Sequence, residues 1–233
     1  QKEGQGWLTV LIERSLRHSL MGNRQGKRFC NEAKNYSALA GEFQNFDPAT
    51  DDYHSLPAYL IMDSQYMGRY PIASVMPGDP LPGWIIQGAD LPSLASTLGV
   101  DAEQLEATVS TFNTHAADAK DPDFGRGESA YDRFYGDRSR PGAAATLGPV
   151  EVGPFYAVEI NMGALGTNGG AKTNGTAQVL DVHGEVIPGL YGAGNVISNP
   201  TGSVYAGAGG TLGPTLTFGY IAGKSAAQSE NAE

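Results

Sequence analysis

The sequence holds a single cysteine, Cys30, in 233 residues, so no internal disulfide can form. That excludes a disulfide scaffold and fits a reducing compartment. Basic residues are also scarce: 15 lysines and arginines against 25 aspartates and glutamates leave a net charge of -10. Such a chain lacks the basic footprint of a nucleic-acid binder. No apolar run approaches the roughly 18 residues of a membrane span, so no transmembrane segment is expected. Nothing in the first residues reads as a signal peptide. The expected setting is cytoplasmic, for a free protein or one held peripherally at a membrane. Common catalytic signatures are missing as well: there is no G-x-S-x-G, H-E-x-x-H, C-x-x-C or P-loop. His18, His54, His115 and His183 lack the spacing of metal ligands, and no metal site is expected. Gly192-Ala-Gly194 and Gly207-Ala-Gly209 both lack the third glycine of G-x-G-x-x-G, so the usual dinucleotide fingerprint is not on this chain.

Glycine, in contrast, is abundant. The 32 glycines are about 14% of the chain, roughly twice the usual share, and show no collagen period. Sixteen of them fall between Gly163 and Gly223, where Lys172 is the only lysine or arginine. Glycine serves where backbone turns at positive φ or approaches another group closely, so this crowding points to a backbone-lined ligand site or a loop-rich surface. Residues 1 to 36 hold seven of the fifteen basic residues, read here as a solvated face.

Residues 57 to 71 read as a buried strand followed by an aromatic loop, in which Tyr66 and Tyr70 are taken as packing residues. Asp90 and Gly99 bracket a short helix as cap and stop. Asp101 and Gln104 open a longer one, with Leu105, Val109, Phe112 and Ala116 on one face. Residues 120 to 153 have the composition of an ordered surface loop. Phe155 to Met162 reads as a strand, and Cys30 as a small core residue in another. Thr176 to Ile187 reads as a β-hairpin ended by Pro188-Gly189, followed by the short strand Leu190-Tyr191. A last helix is predicted to begin near Thr211 to Pro214 and to run to about Ala227.

Three segments carry most of the functional signal when read together: Gly26-Lys-Arg-Phe-Cys-Asn-Glu-Ala-Lys-Asn-Tyr36, then Gly166-Thr-Asn-Gly-Gly170 with Pro188-Gly-Leu-Tyr-Gly-Ala-Gly-Asn195, then Gly202 to Gly223. With Asp123-Phe-Gly-Arg-Gly127 and Pro154-Phe-Tyr-Ala157, their order resembles the C-terminal half of the flavoproteins related to succinate dehydrogenase and fumarate reductase. Within that superfamily the chain is most similar to the 3-ketosteroid Δ1-dehydrogenases. Fumarate reductases are expected to carry a histidine and an arginine before the last helix, and Gly202-Ser-Val-Tyr-Ala-Gly-Ala-Gly209 has neither. A phenol and backbone N–H groups suit a neutral ketone better than a dicarboxylate.

The resemblance implies an α+β fold: a fumarate-reductase-like catalytic, steroid-binding domain over 1–165, then over 166–233 the returning hairpin, strand and helix of a Rossmann-like FAD-binding domain. It implies FAD as cofactor, a 3-ketosteroid as substrate, and a second chain or N-terminal half carrying G-x-G-x-x-G. Tyr36 matches the general base that takes the C2 proton while the C1 hydride goes to FAD N5. Tyr205 and the Gly209 N–H match the groups that hold the C3 carbonyl. Gly169 and Gly170 match the segment beside the isoalloxazine ring, and Gly194 and Asn195 the turn toward the ribityl chain. Thr211, Leu212 and Gly213 match the helix start facing the flavin N1 and C2 carbonyl. Other readings are a Δ4-(5α)-ketosteroid dehydrogenase, another FAD-dependent reductase of the superfamily, or a non-catalytic steroid-binding or assembly subunit.

Overall fold

The computed structural model describes residues 10–164, 166–198, 200–202, 205 and 207–229. Two units divide the chain, Gln1–Met162 and Gly163–Glu233. The first contains β1 (Ser19–Asn23), α1 (Tyr36–Phe43), the short pair β2 (Phe46–Asp47) and β3 (Asp52–Tyr53), β4 (Ala58–Asp63), α2 (Ser64–Met67), β5 (Ile86–Gly88), α3 (Leu91–Leu98), α4 (Ala102–Ala116), α5 (Ala130–Phe134) and β6 (Phe155–Ile160). The second contains β7 (Gln178–Leu180), β8 (Val186–Tyr191) and α6 (Leu212–Ser229).

An antiparallel sheet of order β1-β4-β6-β5 organises the first unit. β4 lies inside it, with Leu20 opposite Ile61 and Leu60 opposite Val158. Its six residues are all buried, which is why the run reads as continuously apolar instead of alternating. Successive side chains point to opposite faces. Met21, Leu60, Met62, Tyr156 and Val158 face one core, with Leu39 and Phe43 of α1 and with Tyr66 and Tyr70. Leu20, Ile61, Phe155 and Ala157 face the other, against α3 and α4.

The capped helices form as their sequences predict. Asp90 accepts from the Ser93 N–H in a capping box that opens α3, and Gly99 closes it in the left-handed region at φ 70°. Asp101 accepts from the Gln104 N–H at 2.9 Å, and the expected stripe Leu105, Val109, Phe112 and Ala116 is the buried face of α4. β8 departs from expectation: it continues through Pro188-Gly189 to Tyr191. In this two-stranded ribbon its outer edge is unpaired among the described residues, so a proline without an N–H costs no ladder bond. Cys30 is in the core as expected, but on a bend and not in a strand.

The larger correction concerns charge. Arg14 and Arg28, read as part of a solvated face, have buried side chains, and the 120–153 segment read as surface buries Asp121, Arg126 and Asp132. Arg28 and Arg126 pair with Glu32, itself fully buried. Its carboxylate accepts from Arg28 Nε and Nη2 at 2.9 and 2.8 Å, from Arg126 Nη1 at 3.1 Å and from the Met21 N–H at 3.0 Å. Arg28 also donates to both oxygens of Asp121, at 2.8 and 3.0 Å. It lies over the rings of Phe112 and Phe124, 4.8 and 5.0 Å from their centroids. Arg126 spends its remaining donors on Thr146 Oγ1 and the Ser19 and Leu16 carbonyls. Two cations and two anions thus neutralise one another, the condition under which buried charge is tolerated.

Burial alone would raise the Glu32 pKa, but Arg28 and Arg126 outweigh it and hold the carboxyl at about 2. An unfolded glutamate titrates near 4.5. The stabilisation is therefore complete above roughly pH 5 and is lost as pH falls toward about 2. Glu32→Gln leaves two guanidiniums without this anion and is expected to cost about 3–5 kcal/mol in urea unfolding at pH 7. Its stability should also fall less steeply than the wild type's between about pH 5 and 2.

Candidate functional site: a tyrosine at a helix start and a glycine-lined turn

Residues 31–36 turn out of the ionic network into α1. Asn31 Nδ2 donates to Asp132 at 3.0 Å, while Asn31 Oδ1 accepts from the Ala33 N–H at 2.9 Å. Arg14 donates to the Glu32 carbonyl and, at 2.8 Å, to that of Lys34. Asn35 caps the helix by accepting from the Ser37 N–H at 2.9 Å. Tyr36 is the first residue of α1 and is half-buried. The two tyrosines assigned to packing are both hydrogen-bonded within the unit. Tyr66 is buried and donates to the Glu13 carbonyl at 3.1 Å, and burial pushes its pKa up. Tyr70 donates to Asp137 at 2.7 Å, and burial followed by that bond pushes it up to about 12. A phenol so shifted makes a poor base near neutral pH.

In the second unit, Gly169-Gly170-Ala171 runs beside the turn Gly194–Val196. The Gly169 N–H donates to the Asn195 carbonyl at 3.2 Å and the Ala171 N–H to that of Val196 at 3.2 Å. At Gly170 an added Cβ would lie 1.8 Å from the Val196 oxygen, so only glycine permits this approach. Gly194, at φ 74°, starts the turn, and its Cβ position lies 3.0 Å from Thr215 Oγ1 on α6. Asn195 is half-buried. The structure therefore gathers Gly169, Gly170, Gly194 and Asn195 into one locality.

The same unit places Tyr205 and Gly209 close together. Tyr205 is half-buried, and its ring lies 3.5–3.7 Å from the Cβ position of Gly210. Gly209, at φ 86°, is exposed, and its carbonyl accepts from the Gly213 N–H at 2.8 Å. α6 starts at Leu212, within the predicted window, and runs to Ser229. A Cβ at Gly169, Gly209 or Gly213 would meet nothing within 4 Å, so bare backbone borders open space there. The N-terminal end of a helix carries a partial positive charge. This arrangement fits an electron-rich, partly anionic ring system such as a flavin.

Bare glycine backbone leading into the start of an 18-residue helix is the setting of a nucleotide-cofactor protein. The family described as FAD binding domain matches residues 3–212. The chain belongs to that family, and its mixed helix-and-sheet fold is that of the fumarate reductase and FAD-binding proteins. Among the curated relatives, 4-oxocyclohexanecarboxylate 2-dehydrogenase of Sinomonas cyclohexanicum is 47% identical over 93% of this chain and 38% of its own length. The 3-oxosteroid 1-dehydrogenase of Mycolicibacterium smegmatis is 40% identical over 94% of this chain and 40% of its own. A solved 3-ketosteroid Δ1-dehydrogenase from Sterolibacterium denitrificans, in complex with 1,4-androstadiene-3,17-dione, is 35% identical. It superposes with a TM-score of 0.88 over 98% of this chain and 42% of that one. The chain thus spans about two fifths of the length of the relatives it matches.

Gly170→Ala forces a side-chain carbon into a backbone carbonyl that no rotamer change can move. It should lower stability by about 1–3 kcal/mol. Gly219→Ala, with open space at its Cβ position inside α6, should be neutral or slightly stabilising. Thermal unfolding of the two variants side by side checks the contrast.

Proposed function

We propose that this chain is the substrate-facing and flavin-facing part of an FAD-dependent dehydrogenase that introduces a double bond beside a ring ketone, with 3-ketosteroids as substrates and C1–C2 as the bond oxidised. The observation that carries the reading is Tyr205, whose ring lies against Gly210 next to the exposed Gly209, in a chain related to two 3-ketosteroid dehydrogenases. In this reading residues 1–165 form the steroid-binding domain, and 166–233 belong to the FAD-binding domain while also supplying Tyr205 and Gly209 to the ketone.

The α-hydrogen of a ketone becomes acidic only when negative charge on the developing enolate oxygen is stabilised. Tyr205 O–H and the Gly209 N–H donate to the C3 oxygen, and losing one such donor costs on the order of 3–4 kcal/mol of barrier. Tyr36 takes the C2 proton. An ordinary tyrosine pKa lies near 10, so the base role requires surroundings that favour its phenolate. Gly169, Gly170, Gly194, Asn195, Thr211, Leu212 and Gly213 hold the cofactor. FAD, when bound there, supplies the acceptor for the C1 hydride.

The 47% identical relative favours a second reading, a single-ring oxo acid as substrate. The proton and carbonyl chemistry would be the same, but the carboxylate would need a cation, and Gly202 to Gly209 contains none.

The test uses the flavin-loaded enzyme that carries this chain. Androst-4-ene-3,17-dione with an electron acceptor should yield a C1=C2 double bond by NMR. Turnover of 4-oxocyclohexanecarboxylate alone would favour the second reading, and oxidation of a 5α-steroid at C4–C5 would mark a Δ4 enzyme. Tyr36→Phe and Tyr205→Phe should each lower kcat at least about 100-fold, with the circular dichroism spectrum retained. Unchanged rates in both would remove the assigned roles.

A further inference from the structure

Arg14 lies outside the ion pairs of the first unit, although it is only 4% exposed. Among the described residues it has no carboxylate within ion-pair distance. A buried guanidinium without a counter-ion is costly, and its donors must be well used to be tolerated. They are aimed at the main chain: Nη1 donates to the carbonyl of Glu32 and, at 2.8 Å, to that of Lys34. These two carbonyls flank buried Ala33 and directly precede the Asn35 cap and Tyr36. From the other side the same turn is held by Asn31, whose carbonyl accepts from the Lys34 N–H at 3.1 Å and whose side chain accepts from Ala33.

We propose that Arg14 is a positioning residue: by clamping the main chain at Glu32 and Lys34, it sets the point at which α1 begins and so where the Tyr36 phenol is delivered. The inference rests on the role proposed for Tyr36 above. A base must stand within hydrogen-bond reach of the proton it removes, and a displacement of about 1 Å can cost about 100-fold in rate. Arg14 occupies a short 3₁₀ turn, Glu13–Ser15, just ahead of β1, so the sheet itself anchors the clamp.

The test compares Arg14→Met, which keeps length without donors, with Arg14→Lys, which keeps charge and donors. Turnover is measured in the flavin-loaded enzyme, per folded molecule counted by circular dichroism, together with hydrogen exchange of the first-turn amides of α1. Arg14→Met should lower kcat about 10- to 100-fold with KM within about twofold, and first-turn exchange should quicken. Arg14→Lys should recover most of both. An unchanged kcat in Arg14→Met, when Tyr36→Phe is inactive, overturns the proposal. So does a loss expressed in KM alone. If Arg14→Met does not fold, Arg14→Lys decides: first-turn protection and kcat changing in step support the clamp, and protection lost with kcat kept overturns it. If Tyr36→Phe itself stays active, the base assignment fails, while exchange still reads whether Arg14 holds the turn.

Discussion

The first unit depends on one buried carboxylate. Glu32 can stay ionised out of water only because Arg28 and Arg126 reach it directly, and those guanidiniums are tolerable only because Asp121 and main-chain carbonyls absorb their remaining charge and donors. Each partner comes from a different stretch: the approach to β1, the 28–32 turn, the 121–126 loop and Thr146. The network therefore cross-links segments that lie far apart in the sequence. It also sets the approach to α1, since Tyr36 follows Glu32 by four residues through a turn whose Glu32 and Lys34 carbonyls and Ala33 and Lys34 amides are engaged.

The second unit is built differently. Its buried apolar residues are few, with Ala177, Val179 and Ile197 the clearest, and α6 has no buried residue. Order comes from backbone approach: Ala171 bridges to Ile197, Gly170 sits against the Val196 carbonyl, and Asp181 Oδ1 accepts the N–H groups of His183 and Glu185 in the hairpin turn. Glycine permits these contacts, and it leaves the start of α6 bordered by bare main chain. Leu212, Leu216 and Tyr220 recur every four residues along the exposed surface of that helix.

Local chemistry made much of this legible. The caps at Asp90 and Asp101, the α4 stripe, the continuous apolar run of β4 and the start of α6 are set by interactions within a few residues, so composition and spacing suffice. The charged core was not legible. Arg14, Arg28 and Arg126 look like any surface arginines, because pairing over 94 residues, as from Glu32 to Arg126, leaves no periodic mark. The polar 120–153 segment misled for the same reason: its polarity serves buried partners, not water. Pro188-Gly189 misled because a proline ends a strand only where the ladder needs its N–H.

At the site, family-like motifs singled out Tyr36, Tyr205 and the glycines, whereas spacing alone would have left both tyrosines among eleven. The sequence by itself determined the caps of α3 and α4, the start of α6, the buried strand, the crowding of glycine and the family. Only tertiary structure decided which arginines are buried, which carbonyls they hold, that Tyr205 lies against Gly210, and that Gly170 admits no side chain. The division follows from range: capping and periodicity act within one or two turns, while charge neutralisation and backbone contact depend on which distant segments the sheet and the turns bring together.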